Sequence, residues 1–399
     1  MPFLNHYTCF GGVHWETASL HHALAYQGIV VPHTGQPISE ALLFGISGGA
    51  AIGYFSFAYQ GYMPHVALLT RNTFDPVQHL CERLGIIQTV KQTTNPDKGL
   101  RNLIETLEDG HVPILSADLY SLPYNSLPKS DGMWVFMPLV VFGVDDHTAH
   151  IADLADVPLE IPLETLQRAR TRTKDNKSRL TTVELPDLDR LPRAVEKGIH
   201  ACLSLYLETP PKGSKNNFGF EALDRWIDLL TRDKDKQSWG KLFTPGRAMY
   251  NGLVTAFNGI QIFGTNGGAS RTHYADFLDE ASVILGKDGL KDTAEGFRRS
   301  ASEWEVLANT LLPDAVAPFK GTRDLLLRKQ TLFKSQGITA LAEIEAISAR
   351  LEALHHEMEN NFPLDEAAAQ TLKEQIAAQV MRVRDTEREA VRALEQTFN

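Results

Sequence analysis

The stretch Phe10-Gly11-Gly12-Val13-His14-Trp15-Glu16-Thr17 constrains this chain more than any other. Adjacent glycines permit backbone dihedrals closed to other residues, and a polar cluster follows them directly. From Glu16 to Gln27 the apolar Ala18, Leu20, Ala23 and Leu24 recur as on a helix, and Gly28 supplies its stop. A glycine turn feeding a helix N-terminus is a place to hold an anion or mount a nucleophile, because unpaired N–H groups and the helix dipole favour negative charge. A cysteine there has its thiolate stabilised. This chain has Trp15 in that place.

At 399 residues the chain has room for two domains of ordinary size. Its 43% apolar and 22% charged content is that of a globular chain with real cores to bury. A net charge of −10 argues against the broad basic face of a nucleic-acid binder. No apolar run approaches the ~20 residues of a membrane span, and Met-Pro-Phe-Leu-Asn-His lacks the layout of a signal peptide. Cys9, Cys81 and Cys202 are odd in number and far apart, so no disulfide framework is expected. The reading is a cytoplasmic protein with no cofactor and with neither nucleic acid nor membrane as partner.

Up to about Leu163 the chain mixes α and β signals. The glycine-rich Phe44–Phe55 reads as a loop packed against backbone or ligand. Asp75 and Pro76 open a helix that runs to Gly85, and Lys98–Asp109 forms another before Gly110. Val112–Leu115 reads as a strand, and Leu139–Val144 with His150–Ala152 as a hairpin. Arg168, Arg170, Arg172, Lys174, Lys177 and Arg179 then face a single Asp175, and Pro186 and Pro192 follow, which suggests a basic linker. Beyond Arg193 the pattern is helical, with helices expected at about 246–263, 270–286 and 290–311. Two apolar stripes, Leu341 to Met358 and Leu372 to Val383, flank Pro363 and suggest a long helical hairpin.

Several of these segments resemble a known family. Gly11–Thr17, Leu43–Gly49, Leu122–Tyr124, Val140–Asp146 and Ile151–Asp153 stand in the order and spacing of the N-terminal domain of butirosin-biosynthesis (BtrH-type) acyltransferases. Arg271–Ala281 and Ala301–Trp304 resemble the helical domain that often follows it. The resemblance covers roughly residues 5–315. It implies an α/β papain-like N-terminal domain over residues 1–165 and a helical domain after it; with the charge run and the apolar stripes this gives a basic linker over 166–192, an all-α domain over 193–315 and a helical arm over 316–399. In that family a helix-terminal cysteine attacks a thioester, a histidine activates it, and an Asp or Asn orients the histidine. The cysteine position falls on Trp15 and the histidine position on Met137, whose neighbours Trp134, Phe136 and Pro138 offer no replacement; Asp153 stands where the orienting acid belongs.

The residues that could carry chemistry are therefore His14, Glu16 and Asp153. Cys9, Trp15, Gly48, Gly49, Tyr54, Tyr124, Trp134, Met137, Arg271 and Tyr274 would line a ligand pocket. Each has a plainer alternative: Trp15 as a packing indole, Cys9 as an inert apolar residue, Arg271 and Tyr274 as a surface ion pair and a core phenol. His147 and His150 read as solvent-facing turn residues. No metal site is expected, since His21-His22 and His355-His356 are adjacent and diverge by about 100° on a helix. The leading function is a small-molecule biosynthetic protein acting on an acyl or amine substrate without a cysteine nucleophile. The rivals are a non-catalytic scaffold and a Cys9-dependent acyltransferase or amidohydrolase. Arg168, Arg170 and Arg172 would dock an acidic acyl-carrier protein, and the arm would dock on the helical domain or make a homodimer.

Overall fold

Caps and glycines cut the chain into the elements of a computed structural model that describes residues 2–127, 132–208 and 214–398. In chain order these are α1 (Trp15–Tyr26), α2 (Glu40–Ile46), β1 (Ala50–Phe57), β2 (His65–Arg71), α3 (Pro76–Leu84), β3 (Gln88–Lys91), α4 (Pro96–Glu108) and β4 (Ile114–Asp118). Next come β5 (Phe136–Val144), β6 (Thr148–Ala152), β7 (Leu159–Pro162), α5 (Leu163–Arg170) and β8 (Leu180–Val183). The rest is helical. It comprises α6 (Leu191–Leu207), α7 (Gly219–Thr231), α8 (Trp239–Leu242), α9 (Arg247–Gln261), α10 (Arg271–Leu285) and α11 (Gly289–Leu311), then α12 (Ala317–Gln336), α13 (Leu341–Glu357) and α14 (Glu366–Phe398).

These elements gather into two compact units whose segments alternate along the chain. One holds Met1–Leu43, Cys81–Arg190 and Leu327–Ala349; the other holds Phe44–Leu80, Leu191–Leu326 and Arg350–Asn399.

The first unit is α/β. Its sheet has the order β3-β8-β4-β5-β6-β7, and neighbours pair antiparallel throughout. The helix α1 packs on β5, β4 and β8. It buries Thr17, Ala18, Ser19, Leu20, His22, Ala23 and Leu24 together, because small residues let neighbours approach it from more than one side. The β5–β6 hairpin forms as expected, closed by Asp145 N–H donating to Thr148 O at 3.0 Å, with Asp145 Oδ1 accepting from the Thr148 N–H at 2.7 Å.

The segment expected as a basic linker is folded into this unit. Leu166 and Ala169 bury one face of α5 against the sheet, and Leu180 and Val183 make β8 an inner strand. Arg170 points inward, fully buried, donating to Gly99 O and Ser178 O at 3.2 and 3.0 Å.

In the second unit β1 pairs antiparallel with β2, α7 packs on β1 and α9 on β2. The glycine-rich stretch expected as a loop is instead the end of α2, a short turn through Ser47–Gly49, and the strand β1. The glycines concentrate at the turn: Gly49 has φ 64° and packs so closely that a Cβ would lie 2.3 Å from the Tyr274 ring. Trp226, Trp239 and Trp304 are fully buried among the helices. The stripe Leu372, Ile376, Val380 and Val383 continues through Ala390, Val391 and Leu394, and α14 lies against α11 and α7. Each such side chain removed from water contributes about 1.5–3 kcal/mol, so α14 is an integral helix of this unit. A run of left-handed residues, Asn266 to Ser270 with φ between 52° and 86°, turns the chain into α10.

Candidate functional site

In the first unit the site begins at the glycine turn. Gly11 has φ 85°, and its N–H donates to Ala155 O at 2.8 Å. A Cβ there would sit 2.6 Å from Asp156 Oδ1, so the turn needs glycine for space as well as conformation. His14 caps α1: its Nδ1 accepts from the Glu16 N–H at 3.3 Å, and Glu16 Oε2 lies 3.9 Å away. The anion cradle expected at this helix start exists and holds a carboxylate. Glu40 accepts from Val13 N–H at 2.8 Å, His14 N–H at 2.9 Å and the Thr17 hydroxyl at 2.8 Å. Trp15 is buried, with its ring edge-on to His14.

The far end of α1's first turns is also pinned. His22 Nε2 meets Gly11 O at 2.6 Å, and burial pushes the imidazole down to about 4, so it is neutral and donates to the carbonyl. Lys334 Nζ donates to Gly12 O at 2.8 Å and lies 3.7 Å from Asp156 Oδ1.

Asp153 directly follows β6 and is buried. The Tyr124 hydroxyl donates to its Oδ2 at 2.8 Å and the Leu154 N–H to its Oδ1 at 2.8 Å. Burial outweighs both bonds and raises the carboxyl to about 6. Tyr124 is stacked on Phe333 with centroids 5.9 Å apart. Met137 lies in β5 opposite Ala117, and Trp134 is half exposed on the approach to that strand. Cys9 is half-buried, and burial pushes its thiol up. His147 is exposed as expected, whereas His150 is held between Asp145 at 3.2 Å and Glu160 at 3.4 Å.

The expected docking cations divide. Arg168 and Arg172 are exposed, as are Lys174, Lys177 and Arg179, but Arg170 anchors α5 from inside and presents no charge to a partner.

The remaining expected pocket residues belong to the second unit and serve its core. Tyr54 stacks on Trp226 and accepts from Trp239 Nε1 at 2.9 Å. Gly48 packs on Asn72, and Tyr274 is fully buried among Phe44, Phe277 and Phe297. Arg271 is fully buried, so it is not a surface ion pair. Its Nε pairs with Glu387, Nη1 donates to Thr70 O and Ala269 O at 3.0 and 2.6 Å, and Nη2 donates to the Tyr206 hydroxyl at 2.8 Å. Burial alone would lower this guanidinium; Glu387 and Tyr206 outweigh it and hold Arg271 above its ordinary range.

Sequence reasoning did not single out Glu40, Lys334 or Glu387. Glu40 follows Ser39 as a helix opening, but nothing local shows that its carboxylate reaches back to residue 13. Among the described residues no cluster of His, Cys, Asp and Glu could hold a metal ion, and no helix is long and apolar enough to cross a membrane.

Residues 14–154 match the family model described as Butirosin biosynthesis protein H, N-terminal, and residues 164–317 match that of a domain of unknown function, DUF4872. No curated protein matches the chain.

Proposed function

This chain carries the N-terminal domain of the butirosin biosynthesis protein H family followed by a DUF4872 domain, and we propose that it is an acyltransferase-like biosynthetic protein working without a cysteine nucleophile. Its substrates on this reading are an activated acyl group and an amine. The α/β unit is read as papain-like: α1 lies buried across the inner strands of an antiparallel sheet, and its glycine turn adjoins the residues just after β6. That is where such folds set the nucleophile and the acid that serves it.

The observation that carries the reading is the Asp153–Tyr124 pair. A carboxyl kept away from water and titrating near 6 is suited to moving protons at neutral pH, and a merely structural residue has no need of it. Trp15 and Met137 carry neither nucleophile nor base, and the Cys9 thiol stays protonated. Acyl transfer then proceeds by holding thioester and amine together, an effect that can supply several kcal/mol, with Asp153 as the proton acceptor. An acidic acyl carrier is the donor this reading calls for. The exposed Arg168, Arg172, Lys174, Lys177 and Arg179 support such a partner, and guanidinium forks suit the phosphate of a pantetheine arm.

The test is amide formation from an acyl-carrier thioester and a panel of amines, followed by mass spectrometry. Asp153→Asn should reduce the rate at least roughly tenfold, as for loss of a general base, while replacing Cys9, Cys81 and Cys202 should change it little. Carrier binding should weaken with salt and with Arg168→Gln and Arg172→Gln. Strong loss with Cys9→Ser alone would restore the thiol mechanism and overturn the reading.

A second reading has an observation of its own. The N–H groups at the α1 start are already taken by Glu40, and the indole of Trp15 is buried beside them. This favours a non-catalytic protein that binds a carrier or partner enzyme; it predicts salt-sensitive carrier binding with no amide product.

A further inference from the structure

Within the second unit, residues of α11 and α14 and the buried Arg323 of α12 line a cavity of about 480 Å³. That volume falls within the roughly 300–1,000 Å³ of small-molecule sites. None of the residues assigned above to acyl transfer lines it. Val306, Pro313 and Ala378 give it apolar walls, and the rest of the lining is polar or charged.

Two buried side chains of the lining are fixed, and each turns a neighbour toward a ligand. Arg323 Nη1 donates to Leu312 O at 3.0 Å and to Asn309 Oδ1 at 3.1 Å, while Nη2 pairs with Asp314. Asn309 thus spends its oxygen on Arg323 and keeps its N–H₂ group for another acceptor. Gln379 Nε2 donates to Glu303 O at 3.1 Å and to Glu303 Oε2 at 2.7 Å. That occupies Glu303 and sets Gln379 Oε1 to accept from Arg382 Nη1 at 3.4 Å. Arg382 is held by this one long bond, and the rest of its fork has no protein acceptor among the described residues. A guanidinium has five donors and stays charged, so the lining offers more donors than it uses. Its charge also selects among anions: Arg323 and Arg382 are opposed by Asp314 alone, a net of one positive charge. A carboxylate cancels that charge, whereas a doubly charged phosphate monoester leaves negative charge in excess beside Asp314.

We infer that this cavity binds a small organic monocarboxylate. The two carboxylate oxygens meet the Arg382 fork, the pairing for which a planar guanidinium is best suited. The amide of Asn309 adds a further donor, and the apolar body of the ligand lies against Val306, Pro313 and Ala378.

The full chain would be titrated calorimetrically with 3-phenylpropionate, with its neutral amide and with phenyl phosphate. The carboxylate should bind once per chain with Kd below about 1 mM, and the amide at least roughly tenfold more weakly. Phenyl phosphate should bind more weakly than the carboxylate, and Asp314→Asn should narrow that gap. Arg382→Met keeps the apolar stem but removes the fork, and should weaken the carboxylate at least roughly tenfold. Arg382 is exposed and makes one long bond, so this variant should melt with the parent. Arg382→Lys keeps the charge without the fork and should recover part of the affinity. No saturable binding by about 10 mM overturns the inference, as do equal binding of acid and amide and an Arg382→Met variant that binds like the parent. Phenyl phosphate binding more tightly than the carboxylate overturns the choice of ligand class.

Discussion

The Glu387 carboxylate accepts from Arg271 Nε, Trp304 Nε1 at 2.7 Å, Ser300 Oγ at 3.2 Å and the Tyr206 hydroxyl at 3.1 Å, and it is fully buried. Glu387→Gln keeps the shape but removes the charge and turns an N–H₂ toward groups that are themselves donors. Arg271 then remains buried without its anion, a state that typically costs about 3–5 kcal/mol. At about 2–4 °C per kcal/mol for a domain of this class, Tm should fall by about 6–20 °C. Urea melts should shift their midpoint with little change in slope. The double variant Arg271→Met/Glu387→Leu removes both charges and leaves no stranded cation, so it should be more stable than Glu387→Gln. A loss under about 1 kcal/mol for the single variant would refute the argument, as would a double variant that loses more than the single one.

Asp153 should make stability fall as pH rises. Its folded value of about 6 lies above the unfolded ~3.9, so the unfolded chain releases its proton first, and about 3 kcal/mol is lost between pH 4 and 6. Asp153→Asn should therefore gain on wild type in Tm across that window, and parallel curves would count against the buried acid. His22 has the opposite sign. Its folded value of about 4 lies below the unfolded ~6.5, so its contribution is whole above pH 6.5 and is lost as pH falls toward 4. His22→Gln, which can still donate to Gly11 O, should flatten the acid limb of the Tm profile; an unchanged limb would place the acid sensitivity elsewhere. Deleting residues after about 335 removes α14 and Glu387, and the product should bind a hydrophobic dye or change its assembly state. A truncated chain as soluble and stable as the parent would contradict the packing of α14.

Most element boundaries were legible because they rest on local chemistry. Gly28, Gly85 and Gly110 end their helices with φ of 76°, 67° and 74°, as their positions implied, and the apolar spacing of α9 to α11 gave those helices to within a few residues. Two segments misled because a tertiary partner overrode composition. The charge run at 168–179 suggested a solvated linker, yet Arg170 finds two buried carbonyls and β8 finds a sheet. Glycines at 45, 48, 49 and 53 suggested a loop, yet Ala50–Phe57 pairs with β2 and is buried along most of its length, as an apolar run without alternation allows. For the site, the cradle at α1 was readable from the glycine turn, but its occupant was not. The bond from Glu40 to Val13 spans 27 residues, and that from Lys334 to Gly12 spans 322. No local pattern encodes partners at such separations.

The distance along the chain between Arg271 and Glu387 also sets a schedule. The two lie 116 residues apart, so on a ribosome adding about 5–20 residues per second the guanidinium emerges roughly 6–23 s before its carboxylate. Throughout that interval α10 cannot be sealed into the core without stranding a cation. The helices from α6 to α11 must therefore wait, loosely associated and with Trp304 unsatisfied, until α14 arrives. Slow codons placed between α11 and α14 should lower the yield of folded protein even though they alter no residue.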